Sequence, residues 1–272
     1  MKSTKKKLPK LSSVLFEETV KSSNSSTDEK HVRRAVREVV SKNPGASDDK
    51  LITEVLGFLV GIGAVVLGLF GAVLAGAAKT LFNNGIGSAN TRVTDWAREN
   101  GIKESDIMGA DGKVDVTKLK GPKALEAAGI AIKAVLDELG DVSALKSIDD
   151  VDPFPPKDEK EESAEKYQEE MKTVSETAGT AAGKLVGAYK AIAAISQDAG
   201  HKSAADQLES LKPVCAADIW HIGYGGALGI AKAVNGLKEK GVKTVEGLDF
   251  SKIQDIVDWG SGYMSKIPDA KD

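Results

Sequence analysis

The sequence predicts a mainly α-helical protein, in which a long apolar helix with regularly spaced small residues, a glycine zipper, is joined to an α-helical bundle. Three observations support this fold class. Residues 55–78 carry no charge, residues 122–139 repeat apolar side chains at helical spacing, and residues 179–187 place a glycine at every fourth position. Only residues 114–119 have the pattern of an extended stretch.

Composition excludes more functions than it suggests. The 272 residues include 37 lysines and arginines against 40 aspartates and glutamates, with three histidines and one cysteine. A net charge of −3 argues against specific nucleic-acid binding, and the single Cys215 leaves no partner for an intramolecular disulfide. Since no motif indicates catalysis, we expect a protein that is not an enzyme and that uses no cofactor or metal.

The N-terminal region is basic and then polar. A short apolar group interrupted by serines and glutamates follows the basic residues, which is not the pattern of a secretory signal peptide. Residues 21–28 are rich in serine and predict a flexible linker, and a helix is expected from Asp28 to about Lys42. The first ten residues hold five lysines and no acidic residue: Lys2, Lys5, Lys6, Lys7 and Lys10.

The charge-free run from Val55 to Ala78 is the strongest signal in the chain. Its 24 residues lie between Glu54 and Lys79, and a helix of this length spans roughly 36 Å, against about 30 Å for the hydrocarbon core of a bilayer. The run is therefore predicted to be competent to cross a membrane. The alternative is a core helix that the rest of the chain buries on all sides.

Two sets of small residues predict close packing between helices. Bare backbone along one stripe of a helix lets a neighbouring helix approach closely, as in small-xxx-small interfaces. The second set lies in a helix predicted from about Lys160 to Ser196, whose lysines make it unsuited to span lipid alone; it is expected to pack on another helix or to insert at a membrane surface. The first set is Gly57, Gly61, Ala64, Gly68, Ala72 and Gly76, and the second is Gly179, Gly183 and Gly187.

The remaining pattern predicts a helical body. The glycine-rich segment from Asn83 to Gly87 is expected to end the long helix, and Thr91 to Asn100 is expected to form a short helix that Gly101 terminates. Further helices are predicted at Pro122–Leu139, Ala204–Leu211 and Trp220–Leu237.

The predicted organisation has five parts. Pro-rich and acidic sequence between helical regions is typical of a linker. The parts are a leader and linker (1–27), an amphipathic helix with the membrane-competent helix (28–88), a small helical segment (89–150), an acidic Pro-rich linker (151–165) and a C-terminal helical domain (166–272).

Few side chains suggest chemistry. His201, Cys215 and His221 could form a Cys/His pair, but no third residue is spaced to orient it, so structural roles are expected. Asp111 and Asp115 near a glycine lack the run of oxygen ligands that a calcium loop needs. The sequence also predicts two aromatic clusters, one of Trp220, His221 and Tyr224 and one of Trp259 and Tyr263.

Residues 10–18, with the sequence KLSSVLFEE, resemble the start of head-internal and other virion proteins of large tailed bacteriophages. In that family a short leader directs the protein into the prohead and is cleaved after a Leu/Ile-x-Glu motif. Leu15, Phe16 and Glu17 fit the motif. The resemblance implies a packaged, non-enzymatic virion protein, and some members of the family leave with the DNA and insert into the host envelope.

Two hypotheses follow for function. In the first, the chain is a structural or ejected protein of a virion, and its charge-free run packs against copies of itself, against other virion proteins or within a membrane. In the second, it is a cellular membrane protein with a single span, a cytoplasmic N-terminus and a helical domain that scaffolds a partner. A pore-forming toxin is a third interpretation of the same run.

Overall fold

The computed structural model describes residues 48–156, 161–196, 198–211 and 213–267, with the side chains of 48–70, 161, 162 and 164 left out of the description. The chain divides into two compact units, residues 1–65 and residues 66–272. The described part of the first unit is the N-terminal portion of one helix. The helix expected at Asp28–Lys42 and the cleavage motif Leu15-Phe16-Glu17 lie outside the described residues.

The described residues are mainly helical, with the helices of the second unit packed as a bundle, so the predicted fold class is confirmed at this level. Short 3-10 turns join some of the helices, the longest being Ser143–Asp150. The α-helices are α1 (Asp48–Glu99), α2 (Pro122–Leu139), α3 (Glu161–Ser196), α4 (Ala199–Ser210), α5 (Ala216–Glu239), α6 (Lys243–Glu246) and α7 (Ser251–Tyr263).

Helix α1 continues through the segment that was predicted to end it. The expected stop at Asn83–Gly87 is wrong, and the short helix expected at Thr91–Asn100 is the last part of α1. Gly85 is buried where α1 meets α2 and α3, since a Cβ there would lie 3.2 Å from Cγ1 of Val135 and 3.5 Å from Cβ of Ala191. Tertiary packing therefore compensates the roughly 1 kcal/mol that a glycine costs inside a helix.

Glycine does end α1 at the predicted residue. Gly101 has a φ of 66°, a left-handed conformation in which a side chain would be strained. The Ile102 N–H donates to the carbonyl of Ala97, which closes the end of the helix.

The segment between α1 and α2 contains one isolated bridge in place of the expected extended stretch. Met108 pairs with Val114 in an antiparallel bridge, and Val116–Lys118 is a 3-10 turn. The amide of Asn90 on α1 fixes this segment, because its Oδ1 accepts from the N–H of Val114 at 2.8 Å and its Nδ2 donates to the carbonyl of Gly112 at 3.1 Å. The side chain of Asn90 thus satisfies two backbone groups of this segment without a second strand.

Helix α3 forms the centre of the core of the second unit. It contacts α2, α4 and α5, and its fully buried side chains include Met171, Leu185 and Ile192. Its first residue, Glu161, agrees with the predicted start at about Lys160 and lies within the stretch 151–165 that the predicted organisation assigns to a linker. Helix α2 has the predicted bounds, begins with proline at its first position and buries its apolar face.

Helices α4 and α5 begin with side-chain caps. The Asp198 carboxylate accepts from the N–H of His201 at 2.9 Å at the start of α4, which is five residues earlier than predicted. Asp218 accepts from the N–H groups of Val214 and Cys215 at 2.8 and 3.1 Å at the start of α5. Helix α5 then packs along α3, and α7 packs on α5.

Candidate functional site

The three regularly spaced glycines of α3 lie against α1. A Cβ on Gly183 would overlap the carbonyl oxygen of Leu74 and lie 2.9 Å from Cβ of Ala77. A Cβ on Gly187 would overlap the carbonyl oxygen of Ala78, whose Cα would be 3.0 Å away. These two glycines therefore bring the backbones of α1 and α3 into direct contact, a separation that no larger residue permits.

Gly179 has more space than the other two glycines of its set. It is buried, and a Cβ there would lie 3.9 Å from Cγ1 of Val73, which is an ordinary van der Waals distance. The two helices thus approach most closely from Gly183 onwards. Because all these residues belong to the second unit, the second set of small residues serves the internal packing of that unit.

The two members of the first set whose side chains the structure describes face away from α3. Ala72 and Gly76 are exposed, and a Cβ on Gly76 would meet no atom within 4 Å. Leu74 and Ala78, on the other side of the helix, are 3% and 1% exposed. The remaining members of the stripe lie where the structure gives only the backbone of α1: Gly57, Gly61, Ala64 and Gly68.

Helix α1 thus has two different faces in residues 71–78. We call the packed side, which includes Leu74 and Ala78, the inner face, and the exposed side with Ala72 and Gly76 the outer face. The inner face contributes to the core of the second unit. The outer face continues the predicted stripe and contacts nothing else in the described chain at Gly76.

Membrane crossing receives no support from the described structure. Among the residues whose side chains the structure describes, no helix is both long enough and apolar enough to cross a membrane.

The two predicted aromatic clusters form one stack. Trp220 lies parallel to Tyr224 with ring centroids 5.2 Å apart, and it also stacks on Tyr263 at 5.9 Å. Tyr263 contacts Trp259 at 5.5 Å, and the edge of His221 contacts Trp220 at 6.1 Å. The stack joins the first half of α5 to the end of α7 and anchors α7 on the bundle.

Polar contacts fix both ends of this stack. The indole N–H of Trp220 donates to the carbonyl oxygen of Gly260 at 3.1 Å, and that of Trp259 donates to Asp149 at 2.8 Å. Lys266 also donates to Asp149 at 2.8 Å. Burial disfavours the charged carboxylate of Asp149, but these two hydrogen bonds outweigh it and hold the pKa of that carboxyl below its usual value.

Cys215 and the two histidines that sequence singled out lie in separate environments. Cys215 is 2% exposed, and burial beside the Asp218 carboxylate raises the pKa of its thiol, so the protonated and unreactive form is favoured. His201 Nδ1 is 2.8 Å from the hydroxyl of Tyr189, whereas His221 is exposed beside Trp220. The thiol of Cys215 donates to Oδ2 of Asp218 at 3.3 Å and not to either histidine.

Charged residues near Phe82 are paired with one another. A surface depression of about 260 Å³ is lined by Phe82, Lys113 and Lys190 among others. Lys113 forms an ion pair with Asp111 at 2.9 Å, and Lys190 pairs with Glu209. The carboxylate of Asp111 is thus paired with Lys113. No group of three or more potential metal ligands occurs within the described portion of the chain.

Sequence reasoning did not identify which glycines of α5 make close contacts. A Cβ on Gly226 would lie 2.9 Å from the carbonyl carbon of Leu185, and one on Gly229 would lie 2.5 Å from the ring of Tyr189. The three-residue spacing of these two glycines in the sequence is a weak signal of close helix packing. Close approach through glycine is thus used on both sides of α3, toward α1 and toward α5.

Comparisons with protein-family models, with curated proteins and with solved structures each gave no match for this chain.

Proposed function

We propose that the protein is a non-enzymatic structural or internal protein of a bacteriophage virion, which assembles with copies of itself or with other virion proteins through the outer face of α1. The observation that carries the proposal is the exposure of Ala72 and Gly76 on a helix whose opposite face buries Leu74 and Ala78. A helix surface without side-chain bulk is suited to receive a second helix.

The proposal that the protein belongs to a virion depends on the N-terminal leader. The resemblance of residues 10–18 to the prohead-directing leader supports a packaged protein, and the charge-free run supports a later step in which the protein enters a membrane. The single-span cellular protein and the pore-forming toxin are the alternatives that the experiments below separate.

Replacing Gly76 with leucine is expected to weaken self-association by about tenfold, because the side chain would fill the space that a second helix needs. The fold of the monomer should be unchanged, since a Cβ at Gly76 meets no atom within 4 Å. Sedimentation velocity over a range of protein concentrations measures the association, and circular dichroism checks the fold.

The matched control for this experiment is Gly87→Leu, which makes the same substitution at an exposed position of α1 beyond the charge-free run, where a Cβ also meets no atom within 4 Å. Equal association constants for the two variants and the wild type would contradict a role of the outer face in assembly.

Cleavage after Glu17 is the second expected result. Protein isolated from assembled particles should begin at Glu18 and lack all five lysines of the leader, as mass spectrometry of the intact protein would show. An intact leader on protein that resides permanently in a cellular membrane would favour the single-span alternative. Dye release from liposomes by the purified chain would favour the pore-forming toxin.

A further inference from the structure

We infer that the contact between α1 and α3 is an autoinhibitory contact, which permits assembly through the outer face but prevents the charge-free run from entering a bilayer until α1 detaches from Gly183 and Gly187. The inference rests on the proposed function, in which Val55–Ala78 both assembles with other chains and enters a membrane. Assembly belongs to the state in which α1 is packed on α3, and membrane entry belongs to the state in which residues 71–78 have detached.

While α1 is packed on α3, the part of the run that remains free is too short to cross a bilayer. The inner face of residues 71–78 is held in the second unit by Leu74 and Ala78. Residues 55–70 alone form about 24 Å of helix, which is less than the hydrocarbon thickness of about 30 Å. The complete run reaches roughly 36 Å only when residues 71–78 are included.

Assembly and membrane insertion need different faces of α1. The outer face is exposed while α1 is packed, so a second copy can bind Ala72 and Gly76 without any rearrangement. A bilayer surrounds the whole circumference of a helix, so insertion also requires the inner face, which α3 covers. Packing on α3 and insertion of residues 71–78 are therefore mutually exclusive.

Two buried side chains hold residues 71–78 of α1 in the core. Of residues 71–78 only Leu74 and Ala78 are fully buried, whereas Ala72, Ala75 and Gly76 are exposed. Beyond Lys79, the same helix buries Leu81, Ile86, Ala89, Val93 and Ala97. Release of residues 71–78 therefore takes only Leu74 and Ala78 fully out of the core, while the buried side chains beyond Lys79 can keep the remainder of α1 in place.

A disulfide across the contact tests the inference. Val73→Cys combined with Gly179→Cys places the two thiols across α1 and α3, where a Cβ on Gly179 would be 3.9 Å from Cγ1 of Val73. The native Cys215 is buried and does not compete. Mass spectrometry confirms the bond, and each single variant serves as a control.

The readout is the fraction of protein that resists alkaline carbonate extraction from vesicles of phosphatidylethanolamine and phosphatidylglycerol. We expect the oxidised double variant to insert about tenfold less than the same protein after reduction. Equal insertion of the two forms, or no insertion by either, would overturn the inference.

Self-association of the same samples reports on the proposed function separately. The oxidised and reduced forms should associate equally, because the outer face is exposed in both. Loss of association in every sample would argue against the proposed function, whatever the insertion result.

Gly183→Ala provides a second test, since its methyl group would press on the carbonyl oxygen of Leu74 and is expected to increase insertion.

Discussion

Gly187→Ala is expected to lower the free energy of unfolding by about 3 kcal/mol, at the upper end of what overpacking one methyl group costs. The added Cβ would overlap the carbonyl oxygen of Ala78, and the Cα and carbonyl carbon of that residue would each be 3.0 Å away. Backbone atoms inside a helix cannot rotate aside as a side chain can, so α1 and α3 must separate. Urea denaturation followed by far-ultraviolet circular dichroism measures the loss.

Gly76→Ala is the matched control, because it makes the same chemical change on the partner helix where a Cβ meets no atom within 4 Å. Alanine is the better helix former by roughly 1 kcal/mol, so this variant should be slightly more stable than the wild type. If Gly187→Ala were as stable as Gly76→Ala, the close contact between α1 and α3 would be incorrect.

Trp220→Ala is expected to lower the free energy of unfolding by about 4 kcal/mol. Trp220 is 7% exposed and stacks on Tyr224 and Tyr263, so its removal opens a cavity between α5 and α7. The substitution also leaves the carbonyl oxygen of Gly260 without its indole donor. Urea denaturation gives the stability, and proteolysis of the region around α7 should become faster as that helix loses its anchor.

The corresponding control is Trp220→Phe, which keeps an aromatic ring for the stack and loses the hydrogen bond to Gly260. Its loss of stability should be clearly smaller than that of the alanine variant, because most of the buried surface is retained. A phenylalanine variant as unstable as the alanine variant would indicate that the hydrogen bond, and not the stack, holds α7.

Sequence periodicity predicted the elements whose apolar pattern is local. Helix α2 has the expected bounds from Pro122 to Leu139, and α3 ends at Ser196 as expected, since apolar side chains repeat along one face of each helix. The mainly helical fold class followed from the same signal.

The errors arose where tertiary contacts outweigh local preference. Glycines at 85 and 87 are poor helix formers, and nothing in the neighbouring sequence shows that Gly85 fits against Val135 and Ala191. Similarly, spacing placed Gly183 and Gly187 on one stripe of a helix but could not show that α1 covers it. The link from Asp149 to Trp259 joins residues 110 positions apart, beyond the reach of any periodicity.

The contact between the glycines of α3 and the backbone of α1 also restricts how the two helices can slide along each other. Gly183 lies under the carbonyl of Leu74 and Gly187 under that of Ala78, so the glycines match α1 at intervals of one turn. A shift of one or two residues would place a side chain of α3 where only a hydrogen atom fits. The axial register of α1 relative to α3 can therefore change only in steps of about 6 Å, which is the rise of four residues.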